Sequence, residues 1–287
     1  GMEKNKELLG GKGANLCEMT QIGLPVPPGF VITTEACLFH LEQKKSGLNP
    51  ELSEQIRTAM EGLEKETGKK FGDPTNPLLV SVRSGAAMSM PGMMDTILNL
   101  GLNEESVSGL IKISKNERFV YDLYRRLIQL FGNIALGIKD EDFSIIFDNI
   151  KKESKVEEDV DLDAAALKKT CKGFLDVVKK KTGKPFPQDP YVQLNMAVEA
   201  VFGSWMGKRA IDYRREFKIT KDMANGTAVN ICTMVFGNTG DDSATGVAFT
   251  RDPANGENRF FGEYMINAQG EDVVAGIRTP LPIRKLC

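Results

Sequence analysis

The sequence predicts an α+β fold. Three observations carry that expectation. Helix-periodic segments alternate with short apolar runs over the first hundred residues, and a long middle stretch keeps apolar side chains at helical spacing. From Gly226 onward the period drops to two. At 287 residues the chain is long enough for one large domain or two to three small ones.

Gly11–Gln21 reads as a helix that opens on glycines, and the proline-rich stretch Leu24–Gly29 stops it. Phe30–Thr34 follows as a short strand. Helices are expected around Ala36–Lys44 and Leu52–Gly68, then a strand at Leu78–Val82 with Arg83 at its end. Next come Ser84, Gly85, Ala86 and Ala87, then Ser89, Pro91 and Gly92. Small residues there let a ligand approach the backbone, and free amides can cradle an anion. A second apolar segment ends at Leu102.

In the middle, Phe119, Leu123, Leu127, Leu130 and Phe131 recur at helical spacing. Asp163 suits an N-cap, with Leu162 and Leu167 as a hydrophobic staple across it. Leu167, Cys171, Phe174, Leu175 and Val178 then share one helical face, and Gly183 ends that helix after the cations Lys179–Lys181. A further helix starts at Asp189 with Pro190 in its first turn, and Leu194, Val198, Val201, Phe202 and Trp205 form its buried stripe. Lys151-Lys152 and Lys179–Lys181 read as solvated faces. The strand from Ala228 to Phe236 is largely apolar on both faces, so it is expected to be central and covered on both sides. Gly246–Thr250 and Arg259–Ile266 complete an expected antiparallel meander, with a turn at Asn255-Gly256.

The totals narrow the function classes. Thirty-seven basic residues against 39 acidic ones give no bulk attraction to nucleic acid or an anionic membrane. No apolar run reaches the roughly 18–20 residues that span a bilayer, and no secretory signal is visible. The five cysteines, Cys17, Cys37, Cys171, Cys232 and Cys287, are scattered and show no CxxC. That disfavours a disulfide framework and a zinc site, and reduced thiols in a cytoplasmic compartment are the simplest account. The single histidine, His40, has no metal-ligand spacing and reads as structural.

Two places could receive an anion. Gly10-Gly11-Lys12-Gly13 puts glycine amides and an ammonium at a helix N-terminus. It is not a Walker A loop, because Gly13 rather than Ser or Thr follows Lys12. Arg83, at the mouth of the small-residue loop, could grip phosphate oxygens bidentately. The alternatives are a glycine-rich helix start with a solvated Lys, and a structural turn with a surface Arg. Asn267–Asp272 carries adjacent carboxylates that could hold Mg²⁺ or cap a turn.

The stretch VRSGAAMSMPGMMDTILNLG resembles the N-terminal nucleotide-binding domain of the pyruvate, phosphate dikinase family. So do Leu8–Cys37, LLGGKGANLCEMTQIGLPVPPGFVITTEAC, and Gly226–Pro280, which contains GTAVNICTMVFGNTGDDSATGVAFTRDPANGE and GEYMINAQGEDVVAGIRTP. Phosphoenolpyruvate synthases share the early Gly-Gly-Lys and the Val-Arg-Ser, but their next loop usually carries an Ala-Glu-Asp-type stretch. The resemblance implies an ATP-grasp-like nucleotide-binding domain with a helical insertion, truncated in its second lobe. Residues 1–102 would begin the first lobe, 103–188 form the helical insertion subdomain, 189–234 return to the first lobe, and 235–287 start an incomplete second lobe. It further implies that Lys12 and Arg83 contact the phosphates of ATP and that the loop Pro91–Thr96 closes over them. Gly92 and Met93 would offer amides there, with Asp95 and Thr96 as polar contacts or loop anchors. Adenine would meet backbone near Met234 and Val235, and Glu271 would lie near the nucleotide as a candidate ligand of Mg²⁺. No catalytic residue is expected in this chain. By resemblance, a histidine on a separate phosphohistidine domain attacks bound ATP, a pyruvate-binding domain lies further on, and the full-length enzyme is a homo-oligomer. The chain alone is expected not to turn over. Two alternatives stay open: a phosphoenolpyruvate synthase-type ATP domain, and a non-catalytic nucleotide-binding module.

Overall fold

The computed structural model describes residues 5–43, 45–276 and 279–285. The chain divides into two compact units, Gly1–Met234 and Val235–Cys287. Lys44, expected to end a helix, and Cys287 lie outside the described residues.

The first unit begins with α1 (Lys6–Gln21), β1 (Gly29–Ile32), α2 (Thr34–Gln43) and α3 (Pro50–Thr67). Two short strands, β2 (Lys70–Phe71) and β3 (Pro77–Leu78), pair in parallel. Then come β4 (Val80–Gly85) and β5 (Thr96–Leu100), with the small-residue loop between them. Six helices follow: α4 (Glu104–Ser114), α5 (Glu117–Ile134), α6 (Asp140–Ser154), α7 (Ala164–Thr182), α8 (Pro190–Ser204) and α9 (Lys208–Glu216). The chain then returns as β6 (Ala228–Thr233).

β6 lies between β1 and β4 in a four-stranded antiparallel sheet of order β1-β6-β4-β5. Its first four residues are fully buried, as an apolar strand covered on both sides should be. The expected meander is corrected here: among the described residues β6 pairs with β1 and β4, not with the strands that follow it. Strands apolar on both faces need neighbours and covering layers on each side, and the first unit supplies them. Period-two patterning identifies a strand but carries no information about its partner.

Local chemistry explains the long helices. Asp163 accepts from the Ala166 amide at 2.8 Å, and Leu162 and Leu167 are buried in one cluster with Ile150. Asp189 accepts from the Tyr191 and Val192 amides, ahead of Pro190. α5 buries Phe119, Leu123, Leu127 and Phe131 and packs on α7 and β5. Beside that stripe Asp122 is buried too, bonded to Arg125 at 2.8 Å and Arg126 at 3.0 Å. Arg125 and Lys151 both reach Asp159, and Arg118 donates to the Leu162 carbonyl. One charged network thus ties α5 and α6 to the turn before α7.

α4 and α6 fall inside 103–188, expected to be helical as a whole but with no bounds set for these two, and α9 was not anticipated. Among the signals for them is Asn103, whose side chain accepts from the Ser106 amide while Ser106 Oγ accepts from the Asn103 amide. Cys17, Cys37, Cys171 and Cys232 are free thiols, and burial pushes Cys37 up to about 11 and Cys171 up to about 12.

The second unit holds the three-stranded sheet β7 (Ala244–Phe249), β8 (Phe261–Ile266) and β9 (Leu281–Pro282), in that order and antiparallel. The helix α10 (Gly270–Ala275) follows three residues after β8 and contains the adjacent carboxylates Glu271 and Asp272. Among the described residues no helix is long and apolar enough to cross a membrane.

Candidate anion-binding cleft

A cleft of about 640 Å³ opens in the first unit between the start of α1 and the loop from β4 to β5. Two glycines let these segments meet. Gly10 breaks the helix with φ 68° and ψ 166°, and a Cβ on it would lie 1.8 Å from the Gly85 carbonyl oxygen. The next amide, Gly11, donates to the Ala86 carbonyl at 2.9 Å. Gly13 in turn sits against Val31 and Asn230 of the sheet. α1 is therefore pressed onto one sheet face with Lys12 beside Gly85.

That face carries the second cation. The register sets Arg83 opposite both Thr96 and Asn230, so the three side chains share a face. Burial lowers the Lys12 ammonium below its ordinary value, and the charge of Arg83 lowers it further against a smaller opposing effect of Cys232. Among the described residues neither Lys12 nor Arg83 forms an ion pair, although Arg83 Nε and Asn230 Oδ1 are buried without a hydrogen-bond partner. Two neighbouring cations and an unsatisfied buried donor cost stability unless an anion joins them. Partial burial of Lys12 in the cleft strengthens its attraction for such a ligand.

The structure brings only some of the expected residues to this cleft. Lys12, Gly92 and Thr96 line it, while Arg83 stands on the sheet face behind Lys12. Gly92 has φ 71° and open space around it. The Met93 amide is already bonded to the Met90 carbonyl, and Met93 and Met94 pack on Met90, Ala86 and Trp205. Asp95 points away from the cleft: its carboxylate meets Arg209 at 2.9 Å and its amide meets Ser204 Oγ at 3.4 Å. Its side chain thus links the loop to α9. Met234 ends the first unit, its amide donating to the Leu79 carbonyl. Val235 and Glu271 belong to the second unit, where Val235 is exposed and Glu271 sits in the first turn of α10. Asp272, beside Glu271, accepts from the Gln269 amide at 2.9 Å and so caps that helix.

Sequence reasoning missed Asn230 and Arg209. Asn230 left a signal, a polar residue inside an apolar strand. Arg209, in a short charged helix 114 positions from Asp95, left none. Among the described residues no group of three acidic, histidine or cysteine side chains could hold a metal.

The fold and cleft define a mixed helix-and-sheet domain with a cleft lined by glycines, small residues and a partly buried lysine. Residues 6–61 and 44–284 match the family described as pyruvate phosphate dikinase, AMP/ATP-binding domain, and the chain belongs to that family. Similar proteins include the pyruvate, phosphate dikinase of Entamoeba histolytica, 60% identical over 98% of this chain and 32% of the relative. That of Clostridium symbiosum is 54% identical over the same shares. The chloroplastic enzyme of Mesembryanthemum crystallinum is 53% identical over 96% of this chain and 29% of its own length. The chain thus spans about a third of the length of the curated relatives it matches.

Proposed function

We propose that this chain is the ATP-binding part of a pyruvate, phosphate dikinase, with an ATP-grasp-like first lobe at 1–102 and 189–234 and a helical insertion at 103–188. Residues 235–287 would begin the second lobe. The observation that carries the reading is the pair of uncompensated cations, Lys12 and Arg83, on one sheet face. Lys12 and Arg83 neutralise phosphate charge, Thr96 lines the same wall, and Gly92 brings the loop backbone to the phosphates. The contributions of backbone at Met234 and Val235 to adenine, and of Glu271 to the cation, rest on the family resemblance. Mg²⁺, when bound with the nucleotide, would supply further charge neutralisation at the phosphates.

The whole protein would convert ATP, phosphate and pyruvate to AMP, diphosphate and phosphoenolpyruvate. A histidine on a separate domain accepts a phosphoryl group from the ATP held here, and a further domain binds pyruvate. This chain's share is positioning and electrostatics, which dominate phosphoryl transfer. Mg–ATP titrated calorimetrically into the chain should bind saturably, and Arg83→Met should weaken binding by roughly 10- to 100-fold, the range for a lost charged hydrogen bond. Absence of saturable binding, or equal affinity in the variant, would overturn the assignment.

A further inference from the structure

Arg209, at the start of α9, grips the loop from outside the cleft. Its Nη2 donates to Asp95 Oδ1 at 2.9 Å and its Nη1 to the Gly92 carbonyl at 3.4 Å. A Cβ on Gly92 would meet nothing beyond its chain neighbours within 4 Å, whereas Met93 and Met94 pack against the cluster around Met90 and Trp205. The one residue of the loop that both lines the cleft and takes a left-handed conformation is therefore held by a side chain that does not line it. A guanidinium can span the two acceptors because its donors form a rigid fork, which an ammonium cannot reproduce.

We propose that Arg209 is a positioning residue that sets Gly92 over the cleft, so that phosphate affinity depends on a side chain that never touches phosphate. The proposal rests on the reading of the cleft as a phosphate site. Trp205, the chain's single tryptophan, packs with Met90 in the cluster that also takes Met93 and Met94, so its emission reports on this loop.

The test compares the full chain with Arg209→Gln and Arg209→Lys. Without ligand, amide hydrogen exchange across residues 90–95 should accelerate roughly two- to fivefold in Arg209→Gln, the scale an exposed ion pair supports, with a shifted Trp205 emission. Arg209→Lys, which keeps the charge but not the fork, should recover part of the protection. Affinity for Mg–ATP should fall by roughly the same factor, and more than affinity for AMP, which offers fewer phosphates. Unchanged loop exchange overturns the proposal. So does a loosened loop with ATP and AMP affinities unaltered or equally reduced, which would make the clasp structural only. If the unmodified chain binds no ATP, the phosphate reading falls and takes the dependence on Arg209 with it, while the exchange data still decide whether Arg209 holds the loop.

Discussion

Lys12 combines two demands in one residue. Its ammonium is pressed toward the neutral form by burial and by Arg83, and an arriving anion would stabilise the charged form again. Its pKa in the free chain is lowered and would rise on binding. Affinity for Mg–ATP should therefore be full below the depressed pKa and fall as pH rises through it. Titrations at pH values below the ordinary lysine value of 10.5 should show that slope, and Lys12→Arg, which does not titrate there, should remove it. Lys12 and Arg83 were legible in the sequence because glycines and small residues surround them. The spent amide of Met93 was not legible, because a one-turn hydrogen bond to Met90 leaves no compositional mark.

Among the elements, α5 shows what a helical spacing reveals and what it hides. Its apolar stripe could be read directly, whereas the burial of Asp122 beside it left no mark in the helical period. Burial alone would raise the Asp122 carboxyl, but Arg125, Arg126 and Arg118 outweigh it and hold the group at about 2. The depressed value means that Asp122 stabilises the fold above the ordinary carboxyl pKa of 3.8, with that contribution lost as pH falls toward 2. Asp122→Asn would remove the closer of the two carboxylates that meet buried Arg125, leaving Asp159 at 3.4 Å, and should cost about 3 kcal/mol in urea unfolding near neutral pH. A tight contact gives a second expectation. A Cβ on Gly109 of α4 would lie 1.3 Å from the Pro74 carbonyl oxygen, so Gly109→Ala should lower the melting temperature, because backbone cannot yield as a side chain does. α9 escaped notice because only Ala210 of its nine residues is buried, too little for any period to appear.

Across the whole molecule, period and capping residues disclosed most elements, while strand pairing stayed hidden. The strand Ala228–Thr233 was correctly seen as central, yet its neighbours in the sheet, Gly29–Ile32 and Val80–Gly85, lie far back along the chain. Such long-range pairing depends on which surfaces are left uncovered, and a single sequence does not record that. Mg–ATP at about 100 times its dissociation constant should stabilise the folded chain by about 2.7 kcal/mol, visible as a raised melting temperature. The chain supplied with ATP, phosphate and pyruvate should release no AMP, since the residues proposed here bind phosphate but include no acceptor. Sustained AMP release would contradict that proposal.

The meeting of Gly10 with Gly85 also bears on how this protein can change. Where two side chains collide, a mutation in one can be rescued by trimming the other. Here the obstacle to a larger residue at position 10 is the carbonyl oxygen of position 85, which every amino acid carries. A selection for second-site revertants of Gly10→Ala should therefore return true reversion or shifts of whole segments, and no compensating substitution at position 85.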